Sequence, residues 1–130
     1  MQLEKQVCSL ELAKRLKELG VKQGSLFWWV TTKPTDVAPT TIEWKGDIEL
    51  INEKVSLTYI TEKTSAFTVA ELSEELPDGY ATFLTKVRGK LEWMCQDGAE
   101  ELEQFADTEA DARAKMLIYL IENELVTLTK

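Results

Sequence analysis

The chain has 130 residues, 44% of them apolar and 29% charged, with 15 Lys or Arg against 23 Asp or Glu and a net charge of −8. That length and composition predict one soluble globular domain spanning 1–130, large enough to form a core without a disulfide or metal staple. They exclude a membrane-spanning run of about 18 apolar residues, and no basic segment leads into an apolar stretch at the N-terminus as in a signal peptide.

The first predicted element is a helix over Leu10–Leu19, capped by Ser9 and stopped at Gly20. Leu12, Ala13, Leu16 and Leu19 line one face, and Lys14, Arg15, Lys17 and Glu18 cover the other. After the connection Val21–Ser25, the run Leu26–Thr31 is dense in aromatic and β-branched residues. A strand apolar on both faces is expected at the centre of a sheet. Lys33–Thr40, with Pro34 and Pro39, reads as an irregular loop. Thr41–Trp44 and Ile48–Ile51 then flank Lys45, Gly46 and Asp47 as a hairpin, and Val55–Ile60 alternates as a half-buried strand. Thr61–Ala66 is expected to be a loop.

Thr68 and Glu71 form a capping-box sequence that opens a short helix through Leu76, stopped by Pro77, Asp78 and Gly79. Tyr80–Val87 and Leu91–Cys95 are strands joined tightly by Arg88, Gly89 and Lys90. A turn at Asp97–Gly98 leads to a third strand over Leu102–Phe105. The longest element is a helix over Thr108–Asn123. Thr108 and Asp111 are spaced as a second capping box, and Glu109 and Asp111 put negative charge in the first turn. Ala110, Ala114, Leu117 and Ile121 define its apolar stripe, widened by Met116, Ile118 and Leu120. Arg113, Lys115 and Glu122 mark its solvent side. The early alanines allow one end to lie close against a sheet while the bulkier late residues fill a thicker core. Strands joined by turns rather than helical crossovers give an α+β class. The expected architecture is a mainly antiparallel sheet packed against the N-terminal helix and the long C-terminal helix, with the short helix between.

The chain contains no histidine. That removes the commonest general base, every Ser–His and Cys–His nucleophile pair and the usual transition-metal ligand. No P-loop, dinucleotide fingerprint, nucleophile elbow, EF-hand loop or HExxH motif occurs. The expectation is a protein that is not an enzyme and carries no cofactor, with carboxylate-only or lysine chemistry as the remaining catalytic option. Cys8 and Cys95 fit no metal spacing. They read as free, buried thiols in a reducing, cytoplasmic setting, with a disulfide between them as the alternative.

Residues 1–65 carry nine basic and nine acidic side chains, and residues 66–130 carry six and fourteen, so the second half holds the whole net charge. Binding to a nucleic-acid backbone is disfavoured by that balance. Asp97, Glu100, Glu101, Glu103, Asp107, Glu109 and Asp111 are seven acids in fifteen residues with no base among them. A solvated strand edge and helix start explain such a run, since charge blocks edge-to-edge pairing. The functional readings are a docking patch for a basic partner, a surface imitating nucleic-acid phosphates, or a weak calcium site without a recognised loop. Of these residues Glu100, Glu101, Glu103, Asp107, Glu109 and Asp111 form the candidate interaction surface. Trp28, Trp29, Trp44 and Trp93 fall on predicted strands. Core packing accounts for them, and an aromatic pocket for a small ligand is the alternative.

Three segments carry a resemblance: Cys8–Trp29, the ELxxxLP-like helix end Glu71–Pro77, and Ala106–Asn123. With them the chain resembles a family of small uncharacterised bacterial proteins often met in phage and prophage-like sequences. The resemblance implies a mobile-element setting and brings no activity or site residue with it. The functional expectation is an accessory protein acting by protein–protein contact through the acidic second half. The alternative is a small-ligand-binding module.

Overall fold

A computed structural model describes residues 3–32, 47–52 and 60–126. After a single 3-10 turn at Leu3–Lys5, the elements are α1 (Leu10–Glu18), β1 (Phe27–Thr32), β2 (Asp47–Asn52), β3 (Ile60–Ala66), α2 (Val69–Glu75), β4 (Ala81–Val87), β5 (Lys90–Gln96), β6 (Glu103–Ala106) and α3 (Glu109–Glu122). The class is α+β. The strands divide into two antiparallel sheets, ordered β2–β1–β3 and β4–β5–β6.

α3 is the centre of the packing. Ala110, Ala112, Ala114, Met116, Leu117 and Leu120 are all buried along it. It packs against α1, α2 and the second sheet. The alanines sit where the helix crosses β5 and β6, because a methyl side chain lets the backbones approach. Ala112 belongs to this buried set although it lies outside the expected stripe, and Ile121 is only half-buried. Leu16 and Ala13 of α1, Leu72 and Leu76 at α2, Phe67, Cys8 and Cys95 complete one core. Burial of each Leu, Met or Phe side chain in this set contributes about 1.5–3 kcal/mol.

β1 is the central strand of the first sheet, as its two-sided apolar pattern predicts, with Trp28 and Val30 buried. β2 pairs with β1 over Phe27–Thr32. Of the expected hairpin, Ile48–Ile51 lies within β2, while Thr41–Trp44 lies outside the described residues, as do residues 55–59 of the expected strand Val55–Ile60. The segment expected as a loop, Thr61–Ala66, is strand β3, paired antiparallel with β1. Its polar residues hide it from a hydrophobicity pattern, yet Thr64 and Ser65 are buried. Ser65 is tolerated because the connection after α1 supplies it with polar partners. The Ser65 amide donates to Gln23 Oε1 at 2.8 Å and the Ser65 hydroxyl accepts from the Gly24 amide at 2.9 Å. Satisfied in this way, a buried polar group avoids the penalty of an unmade hydrogen bond.

In the second sheet the β4–β5 turn places Arg88 and Gly89 at φ +51° and +83°. Two positive φ values in a two-residue turn match the right-handed twist of the flanking strands. Thr82, Leu84, Trp93, Cys95 and Ala106 share the face toward α3. Phe83, Met94 and Phe105 form a cross-strand row on the opposite face. No helix among the described residues is long and apolar enough to cross a membrane.

Candidate interaction surface

The acidic run Asp97–Asp111 is split by the fold into three environments. The first is the β5–β6 turn. Asp97 Oδ1 accepts from the amides of Glu101 at 2.8 Å and Leu102 at 3.2 Å, and its own amide donates to the Leu102 carbonyl at 3.3 Å. These bonds hold Glu100 at φ +59°. A Cβ on Gly98 would stand 3.5 Å from the Gly79 carbonyl, so this turn rests on the one that precedes β4. Glu100, Glu101 and Glu103 project from it, exposed and without a basic partner among the described residues.

Asp107 lies at the other end of β6. It is exposed and meets Lys90 Nζ at 3.3 Å. The last two acids are turned inward. Glu109 accepts a short hydrogen bond from the Thr82 hydroxyl, which accepts in turn from Arg113 Nη2 at 2.8 Å; Arg113 Nη2 is 3.6 Å from the Glu109 carboxylate. Arg113, expected on the solvent side of α3, is instead largely covered by this chain of contacts. Its Nε is buried without a partner among the described residues. Lys115, expected beside it in solvent, is half-buried and donates to the Phe105 carbonyl at 2.8 Å.

Asp111 makes the longest-range link. Its Oδ1 accepts from the Ser9 amide at 2.7 Å, across 102 positions of sequence. The second capping box is therefore half formed: Thr108 Oγ1 accepts from the Asp111 amide, but the Asp111 carboxylate goes to α1 instead of returning to Thr108. Ser9, expected to cap α1 with its side chain, makes no such side-chain bond and is the N-cap by backbone conformation alone. Burial raises the Asp111 carboxyl above the ordinary carboxylate value, opposed by the Ser9 amide and hydroxyl and by Lys115.

The tryptophans are not gathered into one pocket among the described residues. Trp28 and Trp29 are neighbours on β1 and point to opposite faces. Trp28 is 7% exposed, with Lys63 Nζ 3.9 Å above its ring, an attraction of the ammonium to the ring face. Trp29 packs on the core and donates from Nε1 to the Cys8 carbonyl at 3.0 Å. Trp93 borders a cavity of about 430 Å³ with Lys5, Val69, Asp107 and Thr108. Trp44 lies outside the described residues. A wider groove of about 560 Å³ runs between α1 and α3 over Leu12, Ile118 and Tyr119.

Both cysteines are free and buried. Burial pushes the Cys8 thiol up to about 12 and the Cys95 thiol to about 11, far from the thiolate needed for nucleophilic work. Among the described residues no group of three or more Cys, Asp or Glu side chains is arranged to hold a metal ion.

The β4–β5 hairpin lies where the sequence places it, but its exposed apolar surface is the feature that pattern reading missed. Phe83, Leu84, Val87 and Leu91 are exposed there, at 40%, 52%, 37% and 62%. Lys86, Arg88 and Lys90 stand around its tip and are three of the six basic residues in the acidic second half. That local cluster of positive charge was the available signal. Comparison with protein-family models, with curated proteins and with solved structures finds no match to this chain.

Proposed function

We propose that this protein is a non-enzymatic, cytoplasmic accessory protein that acts by binding a basic protein partner through the acidic β5–β6 turn. The phage-like setting that its sequence resembles would be the place for such a partner. The observation that supports this reading is the presentation of Glu100, Glu101 and Glu103. They are exposed, unneutralised by neighbouring bases among the described residues, and carried on a turn that Asp97 holds by two side-chain hydrogen bonds. Clustered like charges on a fixed support raise the rate of encounter with an oppositely charged surface and favour one orientation of docking. Asp107, Glu109 and Asp111 drop out of the contact set, because Lys90, Thr82 with Arg113, and Ser9 already engage them. The ligand-binding alternative has a narrower basis: Trp93 borders a cavity of about 430 Å³, while Trp28 and Trp29 point to opposite faces of β1.

The test is a pull-down from host lysate with the native chain and with Glu100→Gln/Glu101→Gln/Glu103→Gln, read by mass spectrometry. A basic protein captured by the native chain and lost from the triple variant is the expected result. Equal capture by both chains overturns the assignment of the surface.

A further inference from the structure

β4 is the outer strand of its sheet, with β5 on one side and no strand on the other among the described residues. Outer strands expose a row of backbone donors and acceptors. Proteins commonly protect them by proline, bulges, short length or inward charge. β4 has few of these devices. It is seven residues long, contains no proline, and pairs with β5 from Ala81↔Gln96 to Val87↔Lys90 without a register shift. It also carries exposed apolar side chains on both faces, Phe83 and Val87 on one and Leu84 on the other.

We propose that β4 is a self-association strand: two copies of the chain pair antiparallel along β4 and join their sheets into one of six strands. This inference does not require the acidic-turn reading, since it rests on the strand edge, although its charge pattern draws on the same turn. The register that pairs the whole strand places Leu84 on the two-fold axis, with Phe83 opposite Thr85, Thr82 opposite Lys86, and Ala81 opposite Val87 of the second copy. Residues directly opposite share a face.

Charge complementarity selects the antiparallel self-pairing. The end of β4 is basic, with Lys86, Arg88 and Lys90. Its start is acidic: Asp78 precedes it, and the Asp97–Glu101 turn is packed against Gly79. Running two copies in opposite directions sets the basic end of each beside the acidic start of the other, twice over. Lys86 is the residue that would normally guard such an edge. In this register it faces Thr82 of the second copy, whose hydroxyl is bonded to the Glu109 carboxylate. There the guarding ammonium joins the Thr82–Glu109–Arg113 cluster of the second copy. A parallel arrangement would set like charges together at both ends.

The experiment combines sedimentation velocity of the full chain, from low micromolar to near-millimolar concentration, with cysteine cross-linking under diamide. The native cysteines are buried and leave the introduced thiol as the reactive one. Opposed residues of antiparallel strands have Cα atoms about 4.5–5.5 Å apart, within disulfide range, so Leu84→Cys should cross-link rapidly to a dimer. Val87→Cys, on the same exposed strand, would be displaced by six residues, about 20 Å, from its symmetry mate and should not. Leu84→Lys sets like charges opposite one another and should move association to at least about tenfold higher concentration. Salt should weaken the native dimer. A native chain that stays monomeric throughout the range overturns the proposal. Cross-linking of Val87→Cys as fast as Leu84→Cys overturns it as well, because that pattern marks random collision or another interface.

Discussion

The starts of α2 and α3 are built from nearly the same four-residue pattern, Thr68-Val-Ala-Glu71 and Thr108-Glu-Ala-Asp111, and the fold uses them differently. In both, the threonine hydroxyl accepts from the amide three residues on, at 3.3 Å and 3.2 Å. At α2 the longer glutamate arm folds back, and Glu71 Oε1 accepts from the Thr68 amide at 3.0 Å, closing the box. Its other oxygen reaches the Leu26 amide at 3.2 Å across a solvent-exposed gap. At α3 the aspartate arm is one methylene shorter, and its carboxylate is directed at the Ser9 amide, in a partly buried position. One motif serves its own helix first, and the other joins two helices. A local sequence signature therefore reports where a helix begins but leaves open which backbone group its acid will satisfy.

Three tests sharpen that contrast, taken from the largest expected effect to the smallest. Asp111→Ala leaves the Ser9 amide without its partner and should lower the unfolding free energy by about 1–3 kcal/mol. Chemical denaturation measures this, and hydrogen exchange at Ser9 should accelerate. A loss as small as that of a surface mutation would mean the link between α1 and α3 contributes little. Thr68→Ala and Thr108→Ala remove equivalent hydroxyl bonds and should each cost about 1 kcal/mol. A difference between them well beyond that amount would show that the two helix starts differ in more than their acids.

The third test is a pH dependence. Asp111 has a folded-state pKa above its unfolded value, so the native chain binds the extra proton more readily than the unfolded chain. Its contribution to stability is greatest below the unfolded value and declines as the pH rises through the folded one. Asp111→Asn retains an acceptor for Ser9 and removes the titration. The native chain should lose stability relative to this variant over that pH window. A difference that stays flat with pH would place the carboxylate in water.

Much of this architecture is legible in the residues. The three helices, the tight Arg88–Gly89 turn and the central position of β1 follow from caps, breakers and two-sided apolar character. β3 was not legible, because its polar Ser65 is buried by virtue of Gln23 and Gly24, partners some forty residues distant. The acidic run could be read as one block only in sequence. A strand between Glu103 and Asp107 carries its two ends apart, and Thr82 and Ser9 draw Glu109 and Asp111 inward. Ser9 and Asp111 show why: each keeps its partner far along the chain, where no periodicity connects them.

The bond between positions 9 and 111 also has a consequence in time. A chain leaving the ribosome at about 5–20 residues per second presents α1 roughly 5–20 s before Asp111 has been made. During that interval the stripe of Ala13 and Leu16 has no α3 to lie against. The contact of the first helix with the last therefore forms only once nearly the whole chain has been made, whereas its contact with β3 is available some fifty residues earlier.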